Sequence, residues 1–74
     1  MKLIDLKRGE KGKIVKIGNI GILKRRFIDM GITIGEVIEF ERKAPLGDPQ
    51  QYKIRDNKIA IRKNDLQKIE IEKI

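Results

Sequence analysis

The stretch from Phe27 to Tyr52 constrains the chain more than any other part of it. Leu23, Phe27 and Met30 recur at i, i+4 and i+7, which is one apolar face of a helix. That stripe ends at Gly31, where a left-handed C-terminal cap is expected. A strand begins after Gly35, with Ile38 and Phe40 on one face and Val37, Glu39 and Glu41 on the other. It opens into a stiff loop, Ala44-Pro45-Leu46-Gly47-Asp48-Pro49, and a second strand carrying Tyr52 and Ile54 follows.

The rest of the chain supports this order. Leu3, Ile4 and Leu6 make a short apolar opening, and Lys7-Arg8-Gly9-Glu10 reads as a turn. Residues 11–18 read as a first strand with Ile14, Val15 and Ile17 as core candidates; their imperfect alternation predicts a bulge or a strand buried on both faces. Gly18-Asn19-Ile20-Gly21 breaks that strand and offers Asn19 as a helix N-cap. Asp56-Asn57 predicts a two-residue hairpin turn before a strand over 58–62, with Ile59 and Ile61 inward. Residues 63–66 read as a short turn or one 3₁₀ turn, and Ile69, Ile71 and Ile74 as a last strand. The expectation is a mainly β chain: a small barrel of about five short strands, with one helix between the first and second. Closing the sheet also hides Ile-rich edges. Residues 1–74 leave room for one domain only.

Composition excludes most chemistry. There is no Cys, His or Ser, and Thr33 is the only threonine, so disulfides, thiol redox chemistry, Cys/His metal sites and serine-type nucleophiles are ruled out. A general base would have to be a carboxylate or a lysine, and Asp29, Asp48, Asp56 and Asp65 all fall where turn hydrogen bonding explains them. Gly18-Asn19-Ile20-Gly21 lacks both phosphate-loop and dinucleotide spacing. Glu39 and Glu41, like Glu70 and Glu72, share a strand face but lack the spacing of a hard-cation site. No catalytic, cofactor or metal residue is expected. Charge interrupts Met1-Lys2-Leu3-Ile4-Asp5 at once, and no apolar run approaches the roughly 20 residues of a membrane span. A soluble, cytoplasmic protein is the expectation.

The formal net charge is +7. It raises nucleic acid, anionic lipid or an acidic protein face as partners, although both signs interleave as on an ordinary solvated surface. A basic nucleic-acid-binding barrel is the alternative function. Phe27 and Phe40 read as core, which leaves only Tyr52 for base stacking, so nucleic acid is not the expected partner. The same scarcity argues against a groove for proline-rich peptides. The loop over 44–49 is the most unusual surface: two prolines stiffen it and Leu46 sits near its tip.

These residues are familiar. The opening Leu6-Lys7-Arg8-Gly9-Glu10-Lys11-Gly12, the Leu23-to-Met30 helix and the Met30-Gly31-Ile32…Gly35 turn come first. Ala44-Pro45-Leu46-Gly47-Asp48-Pro49, Tyr52-Lys53-Ile54 and Ile59-Ala60-Ile61-Arg62 follow. With these features over essentially its full length, the chain resembles the FeoA family, ferrous iron transport protein A. The resemblance implies an SH3-like barrel with an inserted helix. It also implies a cytoplasmic accessory of FeoB, the membrane ferrous iron transporter with a GTPase domain. A similar domain ends iron-dependent repressors of the DtxR type; without a preceding helix-turn-helix segment, a free-standing protein is expected. Transition metal ion binding is a family property, but the lack of His and Cys gives no expectation of strong Fe(II) binding by this chain.

The candidate partner-binding residues are Leu46, Gly47 and Asp48 on the loop, Lys43 beside them, and Lys24, Arg25 and Arg26 on the helix. Leu46 would give an apolar anchor and Asp48 a polar one. The basic helix face would meet acidic protein or lipid, which allows peripheral membrane association through the partner. A further possibility is control of GTP hydrolysis in trans, with Arg25 or Arg26 as an arginine finger.

Overall fold

Alternating Ile and charged residues build five strands, seen in a computed structural model that describes residues 1–74. They are β1 (Lys11–Ile17), β2 (Val37–Lys43), β3 (Gln50–Ile54), β4 (Asn57–Ile61) and β5 (Ile69–Lys73). Helix α1 (Ile22–Asp29) joins β1 to β2, and a single turn, α2 (Lys63–Leu66), joins β4 to β5. A 3₁₀ turn over Leu3–Asp5 precedes β1. The sheet is antiparallel in the order β4-β3-β2-β1-β5. The mainly β class, the five strands and the helix after the first strand follow the sequence expectation. The strands wrap around one core as a small barrel whose two edge strands, β4 and β5, are not hydrogen-bonded to each other. The N-terminus shields the β5 edge, with the Ile71 N–H donating to the Met1 carbonyl at 2.8 Å and a bridge between Lys2 and Glu70.

Sixteen buried residues form one continuous core that draws on every strand, α1, α2 and the 3₁₀ turn. In β1 only Ile14 of the three candidates is fully buried; Val15 is exposed and Ile17 half-buried. The cause is a bulge between Ile14 and Lys16 in the pairing with β5, which breaks the inside–outside alternation. Ile69 and Ile71 are buried, but the terminal Ile74 lies outside the core.

Helix α1 buries Leu23 and Phe27, with Met30 packed half-buried against the core. Its C-terminus is a Schellman motif: the Ile32 N–H bonds the Phe27 carbonyl at 2.8 Å and the Gly31 N–H bonds the Ile28 carbonyl at 3.1 Å. Gly31 takes φ +72°, as the cap requires. The other end differs from expectation. Asn19 does not cap the helix; Gly21 occupies that position without a side-chain bond, and the Asn19 Oδ1 accepts from the Gly21 N–H at 3.4 Å. The chain first buries Ile20, which moves the helix start beyond the reach of Asn19. The β3–β4 turn also sits one residue earlier than predicted. Ile54 pairs with Asn57, so Arg55 and Asp56 form the turn, and Arg55 carries the positive φ. Arg55 is held there by Glu36 and by the Gly31 carbonyl, a tertiary clamp that turn chemistry alone does not reveal.

Candidate functional site

The loop between β2 and β3 is a compact hairpin. The Ala44 N–H donates to the Pro49 carbonyl at 3.0 Å, and the Gly47 N–H to the Ala44 carbonyl at 2.8 Å. Gly47 has φ +87°, and the Asp48–Pro49 peptide is cis. The Asp48 Oδ1 accepts from the Lys63 N–H at 2.9 Å, which fastens the loop to the first turn of α2. Leu46 is left 96% exposed at the tip. The loop thus presents one apolar side chain to solvent on a braced turn. Lys43, at the end of β2, is exposed beside the loop.

Lys24, Arg25 and Arg26 are all exposed on α1; Arg25 lies opposite its buried face, and Lys24 and Arg26 flank that face on either side. No hydrogen bond or ion pair links them to the loop, and the depressions beside them share no lining residue with the one beside the loop. Periodicity predicts the buried side of α1 but overlooks what shares its outer side. Ile22 and Ile28 are exposed there, and Ile34 lies across a shallow depression of about 380 Å³ from Ile28 and Lys24. The signal was present as the isoleucines left over from the Leu23–Phe27–Met30 stripe.

All three aromatic residues are buried. Tyr52, the residue left for base stacking, is 0% exposed, paired with Phe40 at 5.2 Å between ring centroids, and its hydroxyl donates to the Gln50 Oε1 at 2.9 Å. Burial raises its pKa above the ordinary tyrosine value. It therefore serves the core and cannot be a stacking platform.

Carboxylates are engaged locally. Hydrogen bonds from the Lys73 ammonium and the Lys7 N–H hold the Glu10 pKa below the usual carboxylate range. Those from the Gln51 amide, with Lys58 nearby, do the same for Glu41. Glu36 in turn raises the Arg55 pKa. No three acidic side chains converge as metal ligands. No helix is long and apolar enough to cross a membrane. A second basic cluster, not singled out by the sequence, forms where the Lys7–Glu10 turn meets β2.

The model of the FeoA domain matches residues 1–73. A Porphyromonas gingivalis protein described as an Fe(2+) transport protein A/Fe(2+) transporter FeoB fusion is 36% identical over 74 residues. The match covers 100% of this chain but only 9% of that relative's length. The solution structure of FeoA from Chlorobium tepidum superposes with a TM-score of 0.90 at 28% identity, covering 100% of this chain and 70% of that one. A zinc complex of FeoA from Stenotrophomonas maltophilia, described as an SH3 domain protein, gives 0.79 at 18% identity, with 97% and 89% coverage. At that identity the likeness speaks for the fold alone. Matched by family over nearly its whole length and built on the same SH3-like barrel, the chain belongs to the FeoA domain family.

Proposed function

We propose that this chain is a non-enzymatic accessory of ferrous iron transport that docks on the cytoplasmic part of a FeoB-type transporter and supports or regulates Fe(II) uptake. The observation that carries the reading is the fused relative, in which a segment 36% identical to this whole chain is joined to the transporter. Fusion holds the two parts at high effective concentration, which a contact between them would exploit. The braced loop offers one, with Leu46 as apolar anchor and Lys43, Gly47 and Asp48 around it. Lys24, Arg25 and Arg26, set among Ile22, Ile28 and Ile34, offer a second, mixed surface for acidic protein or the membrane face beside it. The chain itself would stay in the cytoplasm and reach the membrane only through its partner. Burial of all three aromatics disfavours the nucleic-acid alternative, because no ring is left for a base.

An NMR titration of labelled protein with the soluble GTPase domain of the cognate transporter tests the reading. Shifts clustered on Lys43–Asp48 and Lys24–Arg26 are expected. Docking elsewhere on the barrel would overturn the surface assignment. Hydrolysis rates with and without this chain, and with Arg25→Ala and Arg26→Ala, decide whether an arginine acts in trans.

A further inference from the structure

The basic cluster that the sequence did not reveal surrounds a groove of about 710 Å³. Lys7, Arg8, Arg42, Lys43 and Lys63 line it, and no carboxylate does. Backbone pairing brings these distant residues together. The Gly9 N–H donates to the Phe40 carbonyl at 2.8 Å, the Phe40 N–H to the Glu10 carbonyl at 3.1 Å, and Asp48 draws in Lys63. None of the five cations is in an ion pair; the five pairs of the fold use Lys11, Lys16, Arg55, Lys58 and Lys73. The nearest glutamates in sequence make their ion pairs with cations outside the groove, Glu10 with Lys73 and Glu41 with Lys58, while the Lys7 and Arg42 charges act on them only at longer range. Five like charges around one concavity repel one another and focus a positive potential into it.

Gln50 gives a second, independent pointer. It is 3% exposed and lines the same groove. Its Oε1 accepts from the Tyr52 hydroxyl, but its Nε2 has no partner in the chain. No fully buried side-chain nitrogen of the fold lacks a partner, so the Nε2 keeps some access to solvent, on a residue that lines the groove. A buried amide fixed through its oxygen and free at its nitrogen is a preset donor for an incoming oxygen atom. The floor, formed by Ile4, Leu6 and Phe40, is apolar.

We propose that this groove binds an acidic peptide segment of a partner protein. Carboxylates would meet the rim, where the Arg8 and Arg42 guanidinium forks suit them bidentately. An apolar side chain would rest on the floor, and the Gln50 Nε2 would donate to a peptide or carboxylate oxygen. The mixed floor and rim favour such a peptide over a single-stranded nucleic acid, because Phe40, the one ring in the lining, is only 4% exposed and packs on Tyr52. Leu46 is no part of this lining, and the proposal goes beyond the transporter reading, since its test needs no transporter.

The test is an NMR titration of the full chain with a short synthetic peptide alternating glutamate and leucine, at low and moderate salt. Expected are saturable binding, a shifted Gln50 side-chain amide and affinity that falls with salt. Arg8→Glu with Arg42→Glu should weaken binding about tenfold or more, two exposed charge contacts being lost and reversed. Lys13→Glu, the same kind of charge change on an exposed cation outside the groove, should leave affinity unaltered. Unchanged thermal unfolding of each variant would show that the fold is intact. No saturable binding at low salt would overturn the proposal, as would equal weakening by Lys13→Glu. Binding of an oligonucleotide but not the peptide at these residues would overturn it too.

Discussion

The Asp48 carboxylate accepts the Lys63 backbone N–H at 2.9 Å, across 15 residues of chain. One side chain thereby braces the β2–β3 loop and satisfies a free donor at the first turn of α2, as a capping residue would. Asp48→Ala should cost about 1 kcal/mol of stability, and Asp48→Asn, which keeps an acceptor oxygen, distinctly less. Thermal unfolding of the two variants checks this. Faster amide exchange at Lys63 in Asp48→Ala alone would show that the brace has been released.

Leu46 is 96% exposed, so removing its side chain should leave stability within about 0.5 kcal/mol of the parent. If it anchors a partner, Leu46→Ala should still weaken docking by about tenfold, the cost of losing a modest hot spot. Unfolding curves and titration against the transporter's cytoplasmic domain, run on one preparation, separate the two effects.

Acid should unfold the protein in part through Glu10 and Glu41. Both have folded-state pKa values below the ordinary carboxylate value, through the hydrogen bonds from Lys73 and from Gln51 respectively. A lowered folded pKa means that the unfolded chain takes up the proton first. The contribution is complete above the ordinary carboxylate range and lost as pH falls through the folded values. Glu10→Gln and Glu41→Gln should therefore destabilise at neutral pH and flatten the acid limb of the stability profile. Tyr52 acts at the alkaline end. Its pKa is raised by burial, so stability should decline once pH passes the ordinary tyrosine value near 10. Denaturant titrations across pH read both limbs.

Gly12 faces the core side of β1, where an added Cβ would lie 2.5 Å from Ile71 Cδ1 and 3.2 Å from Ile71 Cβ. Ile71 is 1% exposed and has nowhere to retreat. Gly12→Ala should cost about 1–3 kcal/mol through overpacking, readable as a lowered unfolding midpoint. Exchange of the β1–β5 amides should quicken with it, because Gly12 and Ile71 belong to that pair.

Much of this fold was legible in the chain because local patterning and tertiary structure agree there. The Leu23–Phe27–Met30 stripe and its Gly31 cap gave α1, and Ile38, Phe40, Tyr52, Ile54, Ile59 and Ile61 face inward as their alternation demands. Misreadings arose where a distant partner decides. Asn19 loses the cap because Ile20 is buried first, and the hairpin turn shifts to Arg55 because Glu36 and Gly31 hold that side chain. The loop candidates were visible from their prolines and Leu46. The groove was not, since Lys7, Arg42 and Lys63 become neighbours only through the strand register and the Asp48 brace.

Docking on the transporter through the braced loop is tested most directly by binding to the full-length cognate transporter in lipid nanodiscs, with parent, Leu46→Ala and Asp48→Ala proteins side by side. The account predicts saturable binding by the parent and weaker binding by both variants, with Leu46→Ala as stable as the parent. Equal binding by all three would contradict it.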